Sequence, residues 1–503
     1  EFRRVLFRSA SMSRPDVLVG FMGAGKSTVG PLLAELKGTA FVDVDREIER
    51  RTSRSIPDLF AEGEDVFRAL EAETIRELVE AGEHGVIAPG GGALTQPATR
   101  ALLRDRARVL FLDAPAEVLW ARVEAEGGAE VRPLAVNLHR FADLHSQRQS
   151  LYLTAADAIV DAAADPAVVA IAAREAGVVR PGALNRIAEL ADGRRAFLIV
   201  DAPVADRVPD VGPVHVLPGG EQVKHVSHLE ALWRAFAVAE LERRDLVVAV
   251  GGGAVTDVAG FAAATFRRGV DWVSCPTTLV GQVDAGIGGK TDIDVAAKND
   301  VGAFHPPLAV LADPSLLDTL DGREWSAGFA EAAKTALLAG GELWSLVREW
   351  PTGRGTDDAR WELVRRCAAL KHRVVAADPR EAGERAILNL GHTIGHGVEH
   401  AADGRYLHGE AIAIGLVAAL GLSVEHAGLD VAIADEVRGL LERQGLPVVA
   451  EGVDPAAVLH AMRADKKRVA GTSRFVLLEA PGRPVWGVEL DDAAVEAAVA
   501  AAT

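Results

Sequence analysis

The sequence predicts an α/β protein made of two parallel-sheet units, the second continuing into a mainly α-helical part. Three observations predict it. "DVLVGFMGAGKST", Asp16 to Thr28, reads as a short buried strand, a glycine-rich turn and a helix start. A second series of apolar runs interleaved with helical patterns occupies about residues 195–313, and beyond about Pro314 strand signals mostly give way to long Ala/Leu/Glu/Arg helical patterns. Alternating strand and helix signals imply parallel strands joined by crossover helices.

In chain order, "TAFVDVD", "GVIAPGGGAL" and "ARVLFLDA" are the further short strands of the first unit. Around residues 161–194 the text becomes Ala-rich with scattered Gly and Pro, which places a boundary at 176–184. "RAFLIVDAP", "GPVHVLP", "RDLVVAVGGGAVTD", "VDWVSCPTTL" and "LAVLADP" are the strands of the second series. The expected division is therefore 12–175, a linker at 176–184, an α/β part at 185–313 and a helical part at 314–503. The opening "EFRRVLFRSAS" has neither an apolar h-region nor a cleavage site and reads as an assembly scar (1–11) ahead of Met12.

Seventy-two acidic against 54 basic residues, net −18, argue against a general affinity for nucleic acid or an anionic membrane. Two cysteines are too few for a disulfide framework, and no run of about 18 apolar residues suggests a span. The expectation is a soluble cytoplasmic protein acting on small molecules. Only nine of the 54 basic residues are lysine, and eight of the nine fall in the motifs below, where a compact ammonium suits phosphate.

Gly20 to Ser27 fits G-x-x-x-x-G-K-[ST]. In such a loop backbone N–H groups, here around Gly23, Gly25 and Thr28, surround nucleotide phosphates, Lys26 reaches the outer ones and the Ser27 hydroxyl joins a Mg2+ shell. Asp43 and Asp45 stand at alternate positions at the end of the next strand signal and are expected to face one side. In the second unit, "AVGGGAVTDVAGF" follows a strand and lets backbone approach a ligand closely, although it lacks dinucleotide G-x-G-x-x-G spacing. Further on, His392 and His396 lie four apart on one helix face, a spacing that by itself proposes a metal pair.

"FVDVDREIE", "AEGEDVFRALE", "APGGGAL", "RPL" and "RQSLY", together with the phosphate loop, resemble shikimate kinase over residues 14–175. The resemblance implies ATP and Mg2+, with Asp43 on the metal side and Asp45, Arg68, Gly91 and Arg148 holding shikimate. Asp45 would orient the attacking hydroxyl, and Arg132 would close in with a lid segment.

"CPTTL", "GQVDAGIGGKT", "KNDVGAFHPP", "REWSAGFAEAAK", "ILNLGHTIGHGVEH" and "LHGEAIAIG" resemble 3-dehydroquinate synthase over about residues 185–503. The resemblance implies a zinc (or cobalt) ion on Glu331, His392 and His408, leaving His396 for proton transfer or phosphate contact. It implies NAD on Glu221, Lys224, Gly252, Gly253, Asp257, Thr277, Thr278 and Lys298. A sugar acid phosphate would sit among Asp284, Lys290, Asn299, Lys334, Lys371, Glu381, Arg385 and Asn389, with a further phosphate contact from Lys466 or Lys467. Arg268 would come from a neighbouring subunit, so the resemblance implies a homodimer. Glu399, His400 and Glu410 are given structural roles. One departure stands out: the loop "TDIDVAA" after Lys290 is one residue short, with Asp292 and Asp294 where Gly and Asn are common. Two rival readings are another sugar-phosphate cyclase fused to a small-molecule kinase, and a synthase regulated by a nucleotide-sensing phosphate loop.

Overall fold

The computed structural model describes residues 14–127, 137–191, 193–466 and 474–503, with the backbone alone at 464–466. The chain divides into two compact units, one running through Val178 with a short return at 188–191, the other made of Val179–Ile187 and the chain from Gly193.

The first unit is a five-stranded parallel sheet of β1 (Asp16–Val19), β2 (Phe41–Asp43), β3 (Val86–Ala88), β4 (Arg108–Asp113) and β5 (Ala158–Asp161), in the order β2-β3-β1-β4-β5. Helices cover both faces, so β1 and the middle of β4 are apolar at successive positions rather than alternating. The exception proves instructive. Asp16 is buried, yet Arg108 donates to both of its oxygens at 2.7 Å and Lys37 adds a third contact at 2.7 Å. Burial alone would raise its carboxyl; Arg108 and Lys37 outweigh burial and hold it below the usual range. From β1 the chain crosses to one side of the sheet and returns to the other, so the C-terminal end of β1 is a topological switch point, where open α/β sheets bind ligands.

The second unit holds β6 (Val178–Val179), β7 (Ala196–Asp201), β8 (Val214–Leu217), β9 (Leu246–Gly251), β10 (Asp271–Pro276) and β13 (Ala309–Ala312), ordered β6-β13-β10-β9-β7-β8. A two-stranded antiparallel ribbon, β11 (Lys290–Ile293) with β12 (Val301–Phe304), precedes β13. All six residues of β9 are buried, and its switch point lies at the C-terminal ends of β7 and β9. The remainder is helical apart from a second ribbon, β14 (Arg474–Ala480) with β15 (Arg483–Glu489), which helical patterning did not anticipate. Helix Gly322–Ala339 is buried almost all round, with Trp325, Phe329 and Leu337 packing into one core with Leu363, Leu370 and Leu416. The helix His408–His426 is long and apolar enough to cross a membrane, but 67% of its apolar window is buried inside the fold, as a core helix requires.

Candidate active sites

In the first unit the phosphate loop emerges from β1 with Gly23 at φ 80° and Gly25 at φ 84°, a left-handed path that L side chains rarely adopt. A Cβ on Gly23 would stand 2.6 Å from the Leu119 carbonyl oxygen, so the loop closes only with glycine there. Lys26 Nζ donates to the Gly20 carbonyl at 2.8 Å and lies over the loop. Thr28 follows in the first helical turn, its N–H donating to the Gly25 carbonyl. Ser27 Oγ donates to Asp43 Oδ2 at 2.7 Å, pairing the two groups expected near Mg2+.

The expected strand geometry of Asp43 and Asp45 is corrected. β2 stops at Asp43, which caps the helix Val44–Thr52 by accepting from the Arg46 N–H, and Asp45 sits in the first helical turn. Aspartate is a strong N-cap residue, and capping overrides the strand pattern one residue after Val42. The two carboxylates still meet: burial and then the charge of Asp43 raise the Asp45 carboxyl.

Asp45 faces Gly90 and a residue that sequence reasoning missed, Glu71. A Cβ on Gly90 would lie 2.6 Å from Glu71 Oε1 and 3.0 Å from Asp45 Oδ1. Among the described residues, both of those oxygens are buried without a hydrogen-bond partner. Arg68 donates from Nη1 to Glu71 Oε2 at 2.6 Å, and its guanidinium stands against the stacked rings of Phe60 and Phe67. Burial pushes Glu71 up to about 7 despite Arg68. On the far side of the triple glycine, Tyr152 Oη donates to the Gly91 carbonyl at 2.5 Å and Arg148 Nη1 reaches the same oxygen at 3.5 Å. Asp45, Arg68 and Arg148 therefore surround one short backbone segment at the end of β3, beside the phosphate loop. Arg132 lies outside the described residues.

Gly92 meets Arg68 so closely that a Cβ would sit 2.3 Å from Nη2. Gly92→Ala is expected to displace the guanidinium and lower the first unit's kcat/KM about a hundredfold, as ångström-scale misplacement of a binding group does. Steady-state kinetics on the folded variant would check this.

The second unit holds two adjoining clusters. At the switch point, β9 delivers Gly251 and Gly252 to the helix Gly253–Thr265. A Cβ on Gly252 would be 3.1 Å from Thr278 Cγ2, and the Thr277 N–H donates to the Gly251 carbonyl. Asp201, another residue that sequence reasoning missed, ends β7 beside these glycines; its Oδ1 is buried without a hydrogen-bond partner among the described residues. Lys224 Nζ donates to Asp257 Oδ2 at 2.8 Å and Asn299 Oδ1 at 2.5 Å. Lys298 pairs with Glu221 at 3.4 Å and with Glu399 at 2.6 Å. Asn299, expected on the substrate side, thus holds Lys224, and does so at φ 55°, a conformation asparagine tolerates.

The other cluster surrounds Glu331, which is fully buried on helix Gly322–Ala339. His392 Nε2 lies 3.5 Å and His408 Nε2 3.2 Å from its Oε1, while Lys334 stands 2.6 Å from Oε2. His396 joins the same group: one ring nitrogen from each of His392, His396 and His408 falls within 4.8 Å of the others. Lys371 pairs with Asp284 on a π-helical turn, Gly281–Ala285, and Lys334 reaches Asp284 at 3.8 Å. Burial would raise the Asp284 carboxyl, but Lys371 and Lys334 bring it down to about 2. Lys290 pairs with Glu381, which accepts from Asn389 Nδ2 at 3.2 Å; Arg385, 2% exposed, donates to the Pro379 carbonyl at 3.0 Å. Arg268 is exposed at φ 66° on the turn Phe266–Arg268. Lys466 ends a helix and its side chain is not described; Lys467 lies outside the described residues.

Glu399 has a place here that its sequence context did not signal. It bridges His408 Nδ1, at 3.2 Å, to Lys298. One partner lies on the next helix and the other 101 residues away, so helical spacing does not reveal it.

Comparisons with known proteins give the family of each unit. Residues 214–327 match the profile "3-dehydroquinate synthase N-terminal" and residues 328–468 the profile "3-dehydroquinate synthase C-terminal". The 3-dehydroquinate synthase of Rhodospirillum rubrum is 41% identical over 379 residues, covering 69% of this chain and 98% of that protein. The chain belongs to the 3-dehydroquinate synthase family. Its first unit is a shikimate kinase domain, matching that profile over residues 22–176. The chain is thus a shikimate kinase/3-dehydroquinate synthase fusion. Among solved structures, the synthase unit resembles ValA, the 2-epi-5-epi-valiolone synthase of Streptomyces hygroscopicus subsp. jinggangensis 5008, solved with NAD+ and Zn2+ bound (29% identity, TM-score 0.60, 64% of this chain and 95% of that one). It also resembles a 2-deoxy-scyllo-inosose synthase complexed with carbaglucose-6-phosphate, NAD+ and Co2+ (25% identity, TM-score 0.57, the same coverage).

Proposed function

We propose that the two reactions of the fusion, phosphorylation of shikimate by ATP and conversion of 3-deoxy-D-arabino-heptulosonate 7-phosphate to 3-dehydroquinate and phosphate, are carried by the two clusters described, each within its own unit. For the kinase, the supporting observation is the convergence of Asp45, Arg68 and Arg148 on Gly90–Gly92 beside the phosphate loop. Two guanidinium groups suit the shikimate carboxylate, which they can meet bidentately. Asp45, its carboxyl raised by burial and Asp43, is placed to accept a hydroxyl proton. The Ser27–Asp43 pair offers two oxygens to Mg2+, which when bound neutralises phosphate charge. Lys26 holds the outer phosphates in the same way.

For the synthase, Glu331 carries the reading. Its Oε1 is buried and faces two imidazoles, while Oε2 is ion-paired to Lys334: an N/N/O donor set that fits zinc. Burial and Lys334 push His392 down to about 3, whereas Glu331 and Glu399 outweigh burial and hold His408 up at about 9, so a metal binding here displaces the His408 proton. When bound, zinc supplies a Lewis acid and NAD a reversible hydride acceptor. The chain's own groups do the rest. Lys290, Lys334, Lys371, Arg385 and Asn389, with Asp284 and Glu381 ordering them, bind the sugar acid phosphate. His396 handles a proton at the substrate. Glu221, Asp257, Gly252, Gly253, Thr277, Thr278, Lys224 and Lys298 hold NAD, and Asp201 is placed to accept from a ribose hydroxyl at the strand end. Arg268 is offered to a second copy, so the protein acts as a cytoplasmic homodimer.

The deciding assay supplies the full chain with the heptulosonate phosphate, NAD and zinc, and measures phosphate release with product mass. 3-Dehydroquinate without net NADH is the expected result; a different carbocycle would assign a sugar-phosphate cyclase of another substrate. Glu399→Gln is expected to weaken zinc 10–100-fold, the usual effect of removing a carboxylate that orients a ligand imidazole. Chelator competition would measure it.

A further inference from the structure

Strand β11, which begins at Lys290, places an acid inside the dinucleotide cluster. Asp292 lies on β11, its side chain 15% exposed, with Oδ1 2.5 Å from Lys224 Nζ. The contact is an ion pair outside hydrogen-bond angles. Lys224 also holds Asp257, on the helix Gly253–Thr265, and Asn299, at the end of the loop. The backbone supports this placement: Asp294 N–H donates to the Lys224 carbonyl at 2.7 Å, and Asp294 Oδ1 accepts from the Asn299 N–H at 2.7 Å. Across the ribbon Asp292 is opposite Gly302, where a Cβ would stand 2.7 Å from the Asp292 Cβ.

We propose that Asp292 is a positioning residue of the dinucleotide site, acting through Lys224, whose ammonium it shares with Asp257, and so tying β11 to the helix that faces the cofactor. The inference rests on the assignment of this cluster to NAD.

One ammonium between two half-buried carboxylates leaves a net negative charge, which favours the protonated form of Asp257. The groups facing Asp257 are Lys224 and Glu221, from the turn preceding Val226, and Asp292 from β11; Lys298 faces Glu221 in turn. Burial raises Asp257 most, Lys224 opposes, Asp292 raises it further, and the carboxyl settles at about 7. Ionised, Asp257 accepts from ribose hydroxyls; protonated, it loses an acceptor. NAD affinity then strengthens as pH rises, whereas replacing Asp292 by a neutral group removes one of the charges that raise Asp257, lowers its carboxyl and makes the affinity depend less on pH.

The test is NAD+ binding to the full chain by calorimetry from pH 6 to pH 8. Wild type is expected to bind about tenfold tighter at pH 8, following the ionised fraction of Asp257. Asp292→Asn, which keeps the volume, is expected to vary clearly less than wild type over the same range, and Asp292→Gly to show the same flattened profile with weaker binding at pH 8. Asp257→Asn should be flat as well. A steep profile surviving in both Asp292 variants, or in Asp257→Asn, overturns the proposal while leaving the NAD site intact. Wild type that binds no NAD+ at any pH overturns the NAD assignment and the proposal with it. The profile separates positioning from mere packing, since a packing role would lower affinity equally at every pH.

Discussion

Lys26→Ala is expected to lower kcat/KM for shikimate phosphorylation about a thousandfold while 3-dehydroquinate formation stays within twofold. The ammonium rests on the Gly20 and Phe21 carbonyls at 2.8 and 3.4 Å, so its contacts are with the phosphate loop. Alanine is the best helix former at the start of Lys26–Lys37, and the loss should be of phosphate binding rather than of fold. Arginine would not substitute, because a planar fork does not replace a compact point charge over the loop. Parallel ADP and phosphate-release assays on one preparation, with a thermal melt, would check it. Loss of both activities in a folded sample would show that the two sites are not independent.

Glu331→Gln is expected to abolish zinc binding and to reduce cyclisation at least a thousandfold, with the kinase unaffected. Glutamine keeps the shape but removes the charge, leaving Lys334, 1% exposed, beside a neutral amide. Breaking a buried ion pair from one side costs about 3–5 kcal/mol, so the synthase unit should also melt earlier. Metal content after dialysis, phosphate release and a melt give three separate readouts. The variant also decides between ligand sets. Retained zinc in Glu331→Gln, together with its loss in His396→Ala, would assign the ion to the three histidines instead.

Much of each site is legible in the sequence because it depends on contiguous residues. Gly20–Ser27 specifies a loop whose positive φ values and closing lysine are local, and the loop forms as the spacing implies. The four quoted strand runs of the first unit correspond to β1–β4, since a strand covered on both faces must be apolar at successive positions. The fifth, Ala158–Asp161, is four residues long in Ala-rich text and has no periodicity to distinguish it.

By itself, then, the sequence determined the α/β class, the two units, the phosphate loop and the residue types each chemistry needs. Only the tertiary structure decided which of those residues meet. Glu71 meets Asp45 across Gly90, Glu399 reaches His408 and Lys298, and Asp292 reaches Lys224. Helical spacing proposed His392 with His396, whereas packing also brings in Glu331 and His408 from other helices. The physical reason is that a buried charge is tolerated only with a partner, and the partner can come from any segment that the core places beside it.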